Sequence, residues 1–188
     1  MGHISHRGIG IVGARALPSQ FSEQVSQVVS YLLERGYRIH SGGAIGADQF
    51  ALQSVISQGA CSRAAIFSAW SSASGFPRQV QPSVEHFISH GGQMVWGEVG
   101  FHALRSQVTV GLLARNTRLV RASSGIVAFM YGDSAGTRRT VLEAIRHGLR
   151  VVVFLCGGGA VLPEVRGGSW VQLHCAVECW SWAFIFRR

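Results

Sequence analysis

The chain has 188 residues, 47% of them hydrophobic, and a positive mean hydropathy; this suits one α/β domain with a buried core and excludes a disordered segment. Its net charge of +8 comes from 17 basic residues, every one an arginine, against nine acidic ones. A pI near 10.6 carried on planar guanidinium forks points to a polyanionic partner.

From the N-terminus, "MGHISHRGIGIVGAR" has no long apolar stretch before a cleavage site, so no secretory signal is expected. Residues 8–12 (GIGIV) read as a strand, and 19–36 as an amphipathic helix with Phe21, Val25, Val28, Val29, Leu32 and Leu33 on one face. Ser19 is the expected cap and Gly36 the expected stop. A strand at 37–40, a helix at 47–59 and a strand at 63–68 follow, then a polar loop over 69–82. Next come a helix at 83–92, a strand at 93–97, a helix at 103–122, a strand at 125–130, a helix at 137–148 and a strand at 150–156. Strands separated by single helices predict right-handed crossovers and one doubly wound, mostly parallel sheet with helices on both faces.

The tail 169–188 holds three tryptophans and reads as a final strand plus a packing or dimer-forming element. The longest apolar run, Val151–Leu162, is broken by three glycines, so no membrane span is expected. Cys61, Cys156, Cys175 and Cys179 have no secreted-framework spacing and read as reduced thiols of a cytoplasmic protein.

Three motif matches fail on context. "GIGIVG" (8–13) fits a dinucleotide fingerprint, but its glycines lie within a strand and the next strand ends in His40 rather than an acid. "GDSAG" (132–136) fits a nucleophile elbow around Ser134, yet no aspartate follows to orient a histidine. His174, Cys175 and Cys179 lack the second cysteine pair of a structural metal site, and no metal or cofactor is expected.

The stronger signal is positional. "GAR" (13–15) and "SGGAIGAD" (41–48) follow the first two strands, "RNTR" (115–118) precedes the fifth and "GDSAGT" (132–137) follows it. Ligands of open parallel sheets bind at the C-terminal strand ends, where strand order reverses. Helix starts after residues 46 and 136 offer anion sites, and Arg15, Arg115, Arg118, Arg138 and Arg139 offer bidentate phosphate contacts. Gly42, Gly43 and Gly46 serve equally well for a tight turn with close helix–sheet packing.

In order and spacing, "IVGAR", "SGGAIGADQFAL", "RNTRLVRASSGIVAF" and "SAGTRRTVLEAIRHGLRVVVF" resemble the Rossmann-like core of the DNA-processing protein A (DprA/Smf) family across residues 9–156. Gly43 and Ala47 depart from that pattern, and the histidine expected after Asp48 is absent. The resemblance implies a domain that binds single-stranded DNA, forms a homodimer or higher homo-oligomer and has a recombinase as a possible partner; with no winged-helix or N-terminal helical pattern beside it, a stand-alone core is expected. By position the resemblance implies a nucleic-acid or phosphate pocket at Arg15, Ser41, Gly42, Gly46, Asp48, Arg115, Asn116, Arg118, Gly136 and Thr137; the strand-end positions add Gly13, Gly43, Ser134 and Arg138 to the expected site, and a nearby Trp70 or Trp96 is expected to stack on a base.

An alternative within the same wider fold group is a nucleotide sensor or a LOG-type phosphoribohydrolase. Its carboxylate would be Glu143, one turn beyond the usual position. A third is an interaction protein that keeps the fold without its ligand.

Overall fold

A computed structural model describes residues 7–100, 102–174 and 177–188. The strands are β1 (Gly8–Gly13), β2 (Arg38–Ser41), β3 (Ala64–Phe67), β4 (Gln93–Val95), β5 (Gly125–Met130), β6 (Arg150–Leu155), β7 (Ser169–Gln172) and β8 (Phe184–Arg187). The helices are α1 (Ser22–Glu34), α2 (Ala47–Ser57), α3 (Gln81–Ser89), α4 (Arg105–Ala122) and α5 (Ala135–Arg146). The strands form one sheet in the order β4-β3-β2-β1-β5-β6-β8-β7, parallel from β4 to β6 and antiparallel at the β6–β8 and β8–β7 pairs. The expected fold class is therefore the observed one. Strand order reverses between β1 and β5, which opens a crevice at their C-terminal ends.

Each face of the sheet has its own core. On one side α1, α2 and α3 bury Val25, Val28, Val29, Ala51, Leu52, Val84 and Phe87 against Ile11, Ile39 and Ile66. On the other, Leu119 and Val120 of α4 and Val141, Ala144 and Ile145 of α5 cover Val12, Ile126, Ala128 and Val153. β5 is buried along its whole length, as a central parallel strand covered on both faces should be.

Several local expectations change. Ser19 does not cap α1: residues 19–21 form a 3-10 turn, and Phe21 stands at the cap position without a side-chain bond. Gly36, at φ +80, does end the helix. The polar loop holds a short 3-10 turn, Ala73–Gly75, and α3 starts early because Pro82 fits its first turn.

The tail makes two antiparallel strands rather than one. Between them Trp180 stacks on Phe154 at 5.8 Å between centroids and meets Tyr31 edge-on at 5.4 Å. Trp182 meets Phe154 at 4.7 Å and Phe21 at 6.3 Å. These rings cover the part of the first face, over β5 and β6, that α1 to α3 leave bare. Among the described residues no helix is long and apolar enough to cross a membrane.

Candidate functional site

The turn between β2 and α2 is held together from inside. Asp48, at the start of α2, is buried, and its Oδ2 accepts the N–H groups of Gly42 (3.2 Å) and Ala44 (3.3 Å). The same oxygen pairs with Nη1 of Arg115, a buried side chain that reaches over from α4, at 3.4 Å. A Cβ on Gly42 would lie 1.5 Å from that Nη1, so the glycine is required by the arginine passing beside it.

Gly46 has φ +83, and a Cβ there would meet the Ala14 carbonyl oxygen at 2.3 Å. Gly43 is also left-handed, at φ +64, against Phe76. Ser41 Oγ donates to the Asp48 carbonyl at 3.4 Å and accepts the Gly43 N–H at 3.5 Å. Burial pushes the Asp48 carboxyl above its ordinary value, against the pull of Arg115 and the two loop N–H groups. The Gly42 donor that the sequence offers to an anion is thus given to an internal carboxylate.

Beside this wall lies a cavity of about 620 Å³ at the C-terminal ends of β1 and β5. Gly13 and Arg15 line it from the β1 end, Asp48 and Arg115 from the wall, Asn116 from α4, and Ser134, Gly136 and Thr137 from the start of α5. No side chain caps α5, and nothing lies within 4 Å of a Cβ built on Gly136. The Ala135 N–H donates to the Asp133 carbonyl and the Arg138 N–H to the Ser134 carbonyl, which leaves the N–H groups of Gly136 and Thr137, two residues that line the cavity, for an anion at the positive end of the helix. Ser134 Oγ and Thr137 Oγ1 are hydrogen-bonded to each other at 2.6 Å, and the Arg15 side chain is exposed at the rim.

Other expected residues stand elsewhere. Ser41, Gly42, Gly43 and Gly46 support the wall without lining the cavity. Arg138 is bound to Asp133. Arg118 donates to the carbonyls of Ser68 (2.6 Å) and Trp96 (2.7 Å), which ties α4 to the ends of β3 and β4. Glu143 is not on the cavity surface; Thr140, one turn earlier, is. Trp70 and Trp96 are also absent from it, whereas Tyr131, packed on Gly158, is present. Among the described residues no group of three or more His, Cys, Asp or Glu side chains could hold a metal, and Cys175 lies outside them.

The profile of the family DNA recombination-mediator protein A matches residues 2–174. The chain belongs to that family. It is 28% identical over 155 residues to the Smf protein of Borreliella burgdorferi, covering 80% of this chain and 48% of that protein. The chain therefore spans about half the length of this curated relative.

Two family structures share the fold. The Helicobacter pylori DNA processing protein A, described for its single-stranded DNA binding mode, superimposes with a TM-score of 0.65 at 17% identity over 86% of this chain and 67% of that one. The Streptococcus pneumoniae protein does so with a TM-score of 0.62 at 22% identity over 77% of this chain and 49% of that one.

Sequence reasoning missed Tyr131, Thr140, Thr109, Leu112 and Leu113, which also line the cavity. Tyr131 directly follows β5, the strand at the switch point, and that position was the signal for it. The leucines and Thr109 carry no such signal, because an apolar helix stripe reads as core.

Proposed function

We propose that the chain binds single-stranded DNA in the cleft at the C-terminal ends of β1 and β5 and acts in DNA processing or recombination. The observation that carries this reading is the juxtaposition of an uncapped α5 start with the exposed Arg15, in one cavity with Asn116 and Tyr131. The helix start and Arg15 receive a backbone phosphate, Asn116 gives hydrogen bonds to the bound nucleotide, and Tyr131 offers a face for a base. Asp48 and Arg115 act indirectly, by fixing the wall against which the strand lies.

Membership of a DNA recombination-mediator family and a fold shared with the Helicobacter pylori protein support the same reading. A homodimer and a recombinase partner are the further elements of this proposal.

Fluorescence anisotropy of a labelled thymidine 30-mer tests it. Affinity should fall steeply with salt, and Arg15→Ala should weaken binding by about tenfold, the loss of one charge-assisted phosphate contact of about 1.5 kcal/mol. Binding that ignores salt and the Arg15 variant would refute the proposal.

A second reading has one observation in its favour. The cavity, about 620 Å³, falls in the size range of small-ligand sites, so a free nucleotide is a competing occupant. A glycosidic hydrolase here lacks its expected acid, since the carboxylates on the cavity, Asp48 and Asp133, are both paired with arginines. Tight binding of a nucleoside monophosphate, with the 30-mer unable to displace it, would favour this reading.

A further inference from the structure

The opposite end of the sheet carries a row of arginines that the cleft does not use. Strand register sets it out: Arg38 of β2 pairs with Gly8 of β1, next to Arg7, and Arg63 immediately precedes β3. On the other side of β1, Gly125 of β5 pairs with both Ile9 and Arg150, the first residue of β6. The antiparallel β8 brings its own end to this edge, because Val152 pairs with Ile185 and Arg187 lies two residues further along. Arg63, Arg38, Arg7, Arg150 and Arg187 thus lie along one edge of six neighbouring strands, about 24 Å at the usual strand spacing.

This edge keeps an excess of positive charge, with Glu34 at the end of α1 and Glu143 in the last turn of α5 as the acidic residues of those helix ends. All nine acidic residues of the chain are among those described, and the two salt bridges found there are Asp48–Arg115 and Asp133–Arg138, both at the other end. Where row members have acceptors, these are neutral: Arg63 donates to the carbonyls of Leu33 and Tyr37, and Arg38 to Gln93 Oε1. Arg121 and Arg146, in the last turns of α4 and α5, add charge at the same end. Cations near helix C-termini are ordinary. Arg38, Arg150 and Arg187 belong to strands, however, and Arg7 directly precedes one, so none of the four sits in a helix's last turn.

We propose that this row is a second nucleic-acid contact surface, which grips the phosphate backbone of single-stranded DNA at the end of the sheet opposite the cleft. Arginines whose backbone positions lie one or two strand spacings apart along an edge suit a polymer whose anions recur at short, even intervals. Carboxylates scattered over a folded acidic protein have no such repeat. The row needs nothing from the cleft, and a separate variant reports on each.

The test uses the full chain and the labelled thymidine 30-mer, with anisotropy measured across a salt series. Arg7→Gln, Arg38→Gln and Arg150→Gln together should reduce the slope of log affinity against log salt by about 2, from three lost contacts at roughly 0.7 each. Arg15→Gln alone should reduce it by about 0.7, and the two effects should add. If the triple variant is unstable by thermal melting, Arg150→Gln with Arg187→Gln should remove about 1.4 from the slope. A slope unchanged by the row variants while Arg15→Gln still lowers it would overturn this proposal and leave the cleft intact. Loss of binding to anionic vesicles or poly-glutamate, with oligonucleotide binding unaffected, would also overturn it.

Discussion

Asp48 holds the cleft wall in place because three donors meet on one of its oxygens and none has a substitute. Removing it leaves a buried guanidinium whose Nε already has no partner. Asp48→Ala should cost about 3–5 kcal/mol in chemical denaturation, the range for breaking a buried pair from one side. Asp48→Asn, which keeps an acceptor for the loop N–H groups, should cost less.

His40 has a different role. Buried beneath Gly8, its Nδ1 is 3.0 Å from Ser123 Oγ, and burial followed by the charge of Arg38 lowers its pKa from 6.5 to about 4. A histidine depressed in the fold contributes stability that is complete above pH 6.5 and lost as pH falls towards 4. The loss should reach about 2 kcal/mol by pH 5, from a shift of roughly 1.36 kcal/mol per unit. Asp48, raised by burial, works in the opposite direction as pH falls, so the comparison that isolates His40 is the native chain against His40→Gln. The variant should show a shallower acid loss in urea midpoints; equal slopes would show that His40 is not the group responsible.

At the scale of elements, the aromatic tail substitutes for a helix. A doubly wound sheet needs cover on both faces of every inner strand, yet among the described residues no α-helix lies on the first face of β5 and β6. Trp180 and Trp182 fill that place, the first stacked on Phe154 and the second meeting it edge-on. Trp180→Ala should therefore destabilise the chain by about 3–5 kcal/mol, as large-to-small changes in a core do. A change below about 1 kcal/mol would show the tail to be an accessory layer.

The strands and helices from β1 to β6 were legible because apolar period and glycine or proline punctuation agree there. The tail was not, because its two strands are short and the segment between them shows no period. The same cause hid the 3-10 turn ahead of α1, where Ser19 looks like a cap in one dimension and stands a turn too early in three.

At the scale of the molecule, the positive charge is divided between the two ends of the strands. The cleft end mixes Arg15 with two arginine–carboxylate pairs, and the strand-borne arginines of the opposite edge form no salt bridge among the described residues. The position of the cleft was legible, since four polar segments fall at strand ends where the sheet reverses. The division of labour among its residues was not. Arg115, Asn116 and Arg118 share one motif, yet their helical spacing turns the first into the wall, the second onto the cavity and the third towards the carbonyls after β3 and β4. Only the fold distinguishes them.

Hydrogen exchange of the full chain with and without the unlabelled thymidine 30-mer tests the central claim most directly. The account predicts slowed exchange at residues 13–16 and 131–137, the two sides of the cleft. Protection absent from both segments under saturating oligonucleotide would contradict it.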